Sequence, residues 1–144
     1  MEQQIFQLLV HAEYEQAAAL LQGCDSAQIR DILLQIACDK DSMAVIGFAQ
    51  HLFTVTGDYF WYDCMITLLA GPLCFVEGAY ALAYRCARLV LAHERSEENL
   101  VQLLFFNDIP ERLLPDPAAR AIAQEVLSVN PEHPVAARIL QRLN

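Results

Sequence analysis

Glycine and proline are scarce in this chain, 5 and 6 among 144 residues. A β fold of many short strands needs turn residues in quantity, so their shortage favours helices, as does the recurrence of alanine and leucine. Cations are scarce as well: 9 lysines and arginines face 18 acids, a formal net charge of −9. Nucleic-acid binders displace counterions with a basic stripe, and direct contact with a phosphate backbone is disfavoured here. Long apolar runs are missing too. The greasiest stretch, CMITLLAGPLCFV (64–76), is too short for a bilayer and is broken by Gly71-Pro72. The opening MEQQIFQLLV starts acidic and lacks the basic region and cleavage site of a secretion signal. A soluble chain with no membrane partner is expected.

The signatures of common chemistries are absent. There is no Gly-rich phosphate loop, HExxH, GxSxG or dinucleotide fingerprint, and no cofactor is expected. The five cysteines (Cys24, Cys38, Cys64, Cys74, Cys86) are an odd number without a CxxC pair, which argues against zinc. They sit in or beside apolar runs, where a thiol acts as a small hydrophobe, and point to a reducing cytoplasm. The histidines (His11, His51, His93, His133) are dispersed. His93 shares a helical face with Cys86 but lies about 10 Å along the axis, too far for a nucleophile–base pair. A non-enzymatic protein is expected.

What the chain does have is helical periodicity. Residues 2–10 and 13–22 form two short helices, and Gly23 stops the second. From Ser26, the positions Ile29, Ile32, Leu33, Ile36 and Ala37 mark a strongly amphipathic helix. Asp41 is placed to cap the next, about 42–56, and Gly57-Asp58 repeats the stop-and-cap logic before a helix over 59–70. A largely apolar helix covers 76–94, and Ser96 with Glu97 and Glu98 opens another that ends near Asn107. DIPERLLPD (108–116) should cross the surface in extended form. Asp116-Pro117 then caps a helix on which Ala119, Ile122, Ala123, Val126 and Val129 should face inward, and a corner at Pro131 and Pro134 leads into a last stripe of Val135, Ala136, Ile139, Leu140 and Leu143. Helices this short, joined by tight corners, stack as antiparallel hairpins. The fold class is therefore all-α: a single domain over 1–144, a degenerate tetratricopeptide-like α-solenoid of eight or nine helices.

Charge is uneven along it. Residues 1–80 hold ten acids against Arg30 and Lys40, a balance of −8, whereas 81–144 hold eight acids and seven arginines. An acidic region either keeps an apolar domain soluble or steers a basic partner. The candidate binding residues lie in and beside it. Asp58 and Asp63 flank Tyr59, Trp61 and Tyr62, residue types that serve as core or as interface anchors. Glu77, Tyr80 and Tyr84, at spacings of three and four, should share one helical face and line a groove or an internal hydrogen-bond network.

Two stretches, AEYEQAAALL (12–21) and AARAIAQEVLSVNPEHPVAARIL (118–140), resemble tetratricopeptide units. The segment GPLCFVEGAYALAYRCARLVLAHERSEENLVQLLFFNDIPERLLPDPAARAIAQEVL (71–127) resembles small bacterial helical proteins related to polymorphic-toxin immunity proteins. The EGAY helix start and the LLFFNDIPERLL run carry that likeness. The resemblance implies a protein that neutralises a toxin domain by binding its active site or an adjacent surface. Many such toxins are basic nucleases, which gives an acidic region an electrostatic purpose. The competing reading is a tetratricopeptide-like adaptor or chaperone that holds a peptide in its groove.

Overall fold

The computed structural model describes every residue from Met1 to Asn144. The chain is all-α, with nine helices and no strand: α1 (Glu2–Val10), α2 (Tyr14–Leu20), α3 (Ser26–Lys40), α4 (Ala44–Thr56), α5 (Phe60–Ala70), α6 (Ala79–His93), α7 (Glu97–Asp108), α8 (Asp116–Val129) and α9 (Pro134–Leu143). Two compact units divide it, Met1–Ala83 and Tyr84–Asn144. Residues 81–83 are uncharged, so the uneven charge read along the sequence is also the charge of the two units.

In the first unit, α1 buries Ile5 and Leu9, four residues apart on one face, against α2, α3 and α4. Ala12 adopts a left-handed conformation (φ 56°) at the corner into α2. Tyr14 then reaches α4, its ring 5.9 Å from Phe48 and 5.0 Å from His51. Gly47 makes that approach possible, since a Cβ there would meet the Tyr14 hydroxyl at 2.7 Å. Asp25 starts α3 with a reciprocal cap: its carboxylate accepts from the Gln28 N–H, and the Gln28 side chain accepts from the Asp25 N–H, both at 2.8 Å. Asp41 does not cap α4 as expected. It closes α3 in a left-handed turn (φ 49°), and the Ser42 hydroxyl accepts from the Ala44 N–H instead. Gly57, also left-handed, ends α4, and the Asp58 carboxylate accepts from the Phe60 N–H at 2.9 Å as expected of a cap. Phe48 and Leu52 of α4 and Met65, Leu68 and Leu69 of α5 fill the core between these helices.

In the second unit, the Ser96 hydroxyl caps α7 by accepting from the Asn99 N–H. Leu100, Leu103, Leu104 and Phe106 point inward, and α8 and α9 both pack on this helix. Small residues at Ala119, Ala123 and Ala136 let the three axes approach closely, whereas Val129, expected to face inward, is 72% exposed at the end of α8. At the corner between α8 and α9, His133 Nδ1 accepts from the Val135 N–H, and the Asn130 amide donates to Glu97 at 3.0 Å. The hairpin thus leans on α7.

The 108–116 connection does not run extended. It doubles back through Arg112 (φ 45°), buries Ile109 and Leu114, and donates the Leu114 N–H to the Phe106 carbonyl at 3.1 Å. Its anchor is Asn107, the one buried polar residue. The Asn107 amide donates to the Leu114 carbonyl at 2.9 Å and to Asp116 at 2.8 Å, while its oxygen accepts from Arg142. Asp116 is therefore engaged by Asn107 and by Arg112, 3.2 Å away, and is the first residue of α8 rather than its cap. Beside it, Asp108 takes two hydrogen bonds from Arg138 and a longer one from Arg142.

Two outcomes follow from these contacts. Phe106→Ala empties a fully buried site that also supports Tyr84, and should destabilise the protein by about 3–5 kcal/mol, read as a lower denaturant midpoint. The Arg138 hydrogen bonds hold the Asp108 carboxyl below its usual range, with Arg142 and Arg112 adding to the effect. A depressed folded-state value means that the unfolded chain takes up the proton first. The contribution is present at neutral pH and is lost as pH falls below about 4. Asp108→Asn should lower the melting temperature at neutral pH and flatten its decline on acidification.

Candidate functional site

Of the expected aromatic residues, Tyr59 and Tyr62 come together, within residues 53–63. Tyr59 and Tyr62 lie three residues apart on one side of α5's start, where Phe53 of α4 meets them. The Phe53 and Tyr62 rings are stacked, with centroids 4.0 Å apart and planes at 25°. Tyr59 stands edge-on to both, at 5.1 Å from Phe53 and 5.8 Å from Tyr62. All three rings are half-buried; Asp58 beside them is exposed and Asp63 is half-buried. Trp61 departs from the group. It points inward, is 8% exposed, and packs edge-on against Phe48 and Phe60.

The second expected strip is broken. α6 begins at Ala79, after Gly78 takes a left-handed conformation (φ 84°), so Glu77 lies in the preceding turn and shares no helical face with the tyrosines. Glu77 is exposed and Tyr80 half-buried, both in the first unit. Tyr84 belongs to the second unit. Its ring packs on Phe106 at 5.3 Å, and the Arg88 guanidinium lies over its face at 4.6 Å. Phe53 is the residue that sequence reasoning missed: nothing local to α4 announces a ring stack completed across two helices.

Cations are used differently in the two units. In the second, Arg95 makes a two-pronged pair with Glu125 at 2.7 and 2.8 Å, Arg138 pairs with Asp108, and Arg112 with Asp116. The Arg95 hydrogen bonds hold the Glu125 carboxyl low, and the Asn107 amide does the same for Asp116. In the first unit both cations lie over rings, Arg30 over Phe60 at 5.4 Å and Lys40 over Phe6 at 5.2 Å. The exposed acids Glu2, Asp31, Asp41, Asp58 and Glu77 have no lysine or arginine partner, and Glu15 faces His51 at 3.6 Å.

Two concavities lie on these surfaces. One, about 750 Å³, runs between α1 and α2, with Gln3, Gln4 and Gln7 on one wall and Glu13 and Gln16 on the other. The second, about 460 Å³, opens at the start of α7 beside Glu97, Glu98 and His133. There His133 Nδ1 is an acceptor, so in the neutral ring Nε2 carries the proton and faces Glu97 at 3.9 Å. No cluster of three or more histidine, cysteine or carboxylate side chains converges as metal ligands would.

The buried thiols are held protonated. Burial pushes Cys64 up to about 12, with Arg30 opposing only in part, and pushes Cys86 up to about 11. Cys38 and Cys74 are exposed. A thiol reagent at neutral pH should label Cys38 and Cys74 in the native protein and reach Cys64 and Cys86 only on unfolding; mass spectrometry of the labelled peptides checks this.

Compared with known proteins, the chain matched no family model, no curated protein and no solved structure.

Proposed function

We propose that this is a non-enzymatic immunity protein that binds and neutralises a basic toxin domain through the acidic surface of its first unit, the surface that carries Phe53, Tyr59 and Tyr62. The observation that supports this is the allocation of charge. The first unit carries −8 with both of its cations lying over its own phenylalanine rings, while four of the seven arginines of the second unit, Arg95, Arg112, Arg138 and Arg142, pair with that unit's own carboxylates. A field of one sign attracts a partner of the other and raises the encounter rate. Half-buried aromatic rings then supply contact area at little entropic cost, because their mutual packing already restricts them. The class of partner is proposed from the resemblance of residues 71–127 to helical proteins related to toxin-immunity proteins. A basic nuclease domain would present, to this surface, the cations it uses to hold phosphates, so that binding and inhibition would be one event.

Co-expression with the toxin domain made from the neighbouring gene tests the reading directly: protected cells and a recoverable complex support it, while unprotected cells and no complex reject it. Within the complex, Asp58→Lys with Glu77→Lys should slow association about tenfold at low salt and flatten its dependence on ionic strength. Tyr62→Ala should act on dissociation instead, weakening binding by about 2 kcal/mol. Unchanged kinetics in both variants would remove this surface from the interface.

A further inference from the structure

We propose that the groove between α1 and α2 receives a short, extended, basic segment of a partner protein. The inference builds on the reading of the first unit as a binder of basic protein, and adds a place and a backbone conformation. Three exposed amides, Gln3, Gln4 and Gln7, line the α1 wall. Each offers one carbonyl acceptor and two N–H donors, the complement of a main chain whose own groups are unpaired. A helix has already used those groups, whereas an extended chain has not. Spacing agrees. Gln3 and Gln7 are one turn apart, about 6 Å along the axis. Backbone groups on one edge of an extended chain recur every second residue, about 6.6 Å.

Charge sets the sign of the occupant. The Glu13 carboxylate lies in the groove and no lysine or arginine lines it. His11 adds an acceptor: its Nδ1 lies 2.9 Å from the Gln7 carbonyl, which can only accept. Nδ1 therefore holds the proton, and the neutral ring leaves Nε2 to receive an N–H. The −8 charge of the surrounding unit acts in the same direction. Leu8 and Leu20, the latter 36% exposed, give the groove an apolar component that suits small aliphatic side chains. Lysine or arginine alternating with such residues fits these features together, and the volume, about 750 Å³, is within the usual range of ligand sites.

The test is fluorescence anisotropy of the full chain with a labelled peptide alternating lysine and valine, against a control of equal length alternating glutamate and valine. The lysine peptide should bind saturably and the glutamate peptide should not. Gln3→Ala with Gln7→Ala, and separately Glu13→Gln, should each weaken binding about tenfold, or about 1.4 kcal/mol, with an unchanged melting temperature. Asp39→Asn, which removes an exposed charge outside the groove, should change it by less than about twofold. Absence of binding, capture of both peptides, or equal sensitivity to Asp39→Asn overturns the proposal. The proposed function is scored separately. If neither peptide binds but a basic toxin domain is still held through Tyr62, the groove falls and the function stands. Groove-dependent peptide binding in a protein that recognises no toxin domain leaves the groove and removes the function.

Discussion

Nine cations serve eighteen carboxylates in this chain, and their placement governs how each unit is held together. Seven lie in the second unit, where arginines bind carboxylates brought near by the fold: Arg95 with Glu125, Arg138 and Arg142 with Asp108, Arg112 with Asp116. Exposed pairs of this kind contribute little singly. Their value here is positional, because Asp108 and Asp116 flank the fully buried Asn107 amide, whose two donors and one acceptor are all matched. That arrangement fixes the end of α7, the reversed 109–115 connection, the start of α8 and the face of α9. Removing Asn107 would leave the Leu114 carbonyl buried without its donor, a loss larger than one surface ion pair. The first unit has no comparable arrangement of ion pairs and relies on apolar packing, with Arg30 and Lys40 lying over aromatic rings.

Much of the fold was readable along the chain because it is set locally. Stop-and-cap pairs such as Gly57 with Asp58, and starts such as Ser96 with Glu97 and Glu98, act within four residues. The stripe from Ile29 to Ala37 needs only the helical period, and Leu33, Ile36 and Ala37 are indeed buried. Misreadings arose where a side chain had a choice of partner. Asp41 and Ser42 can each cap α4, and a left-handed turn at Asp41 left the role to the serine. Asp116 looks like a cap, yet its carboxylate is taken by Asn107, nine positions earlier, and by Arg112. The DIPERLLPD segment reads as polar and proline-broken, but Ile109 and Leu114 find an apolar site that exists only once α7 is in place.

The candidate surface shows the same division. That Tyr59 and Tyr62 share a side of α5 follows from a spacing of three, and that Trp61 turns inward follows from its lying about 100° from Tyr62 around the axis. That Phe53 stacks on Tyr62 does not follow from any spacing, since it depends on the α4–α5 crossing. Glu77 illustrates a boundary effect. Moving the start of α6 by three residues, from 76 to 79, takes its carboxylate off the helix altogether and dissolves a strip that an unbroken helix would have carried.

The charge of the first unit also bears on its stability. Ten acids with two cations repel one another in the folded unit more than in an extended chain, so the compact state is disfavoured by its own field. Apolar packing offsets that repulsion, with Phe48, Met65, Leu68 and Leu69 almost wholly buried between α4 and α5. A basic partner of the proposed kind would reduce the repulsion on binding, and any ligand that prefers the folded state raises its population by mass action. Affinity and stability are thus coupled through one electrostatic term. The acids lower the stability of the unbound unit and, on the proposed reading, would strengthen its association, whereas the second unit, close to neutral, carries little net self-repulsion.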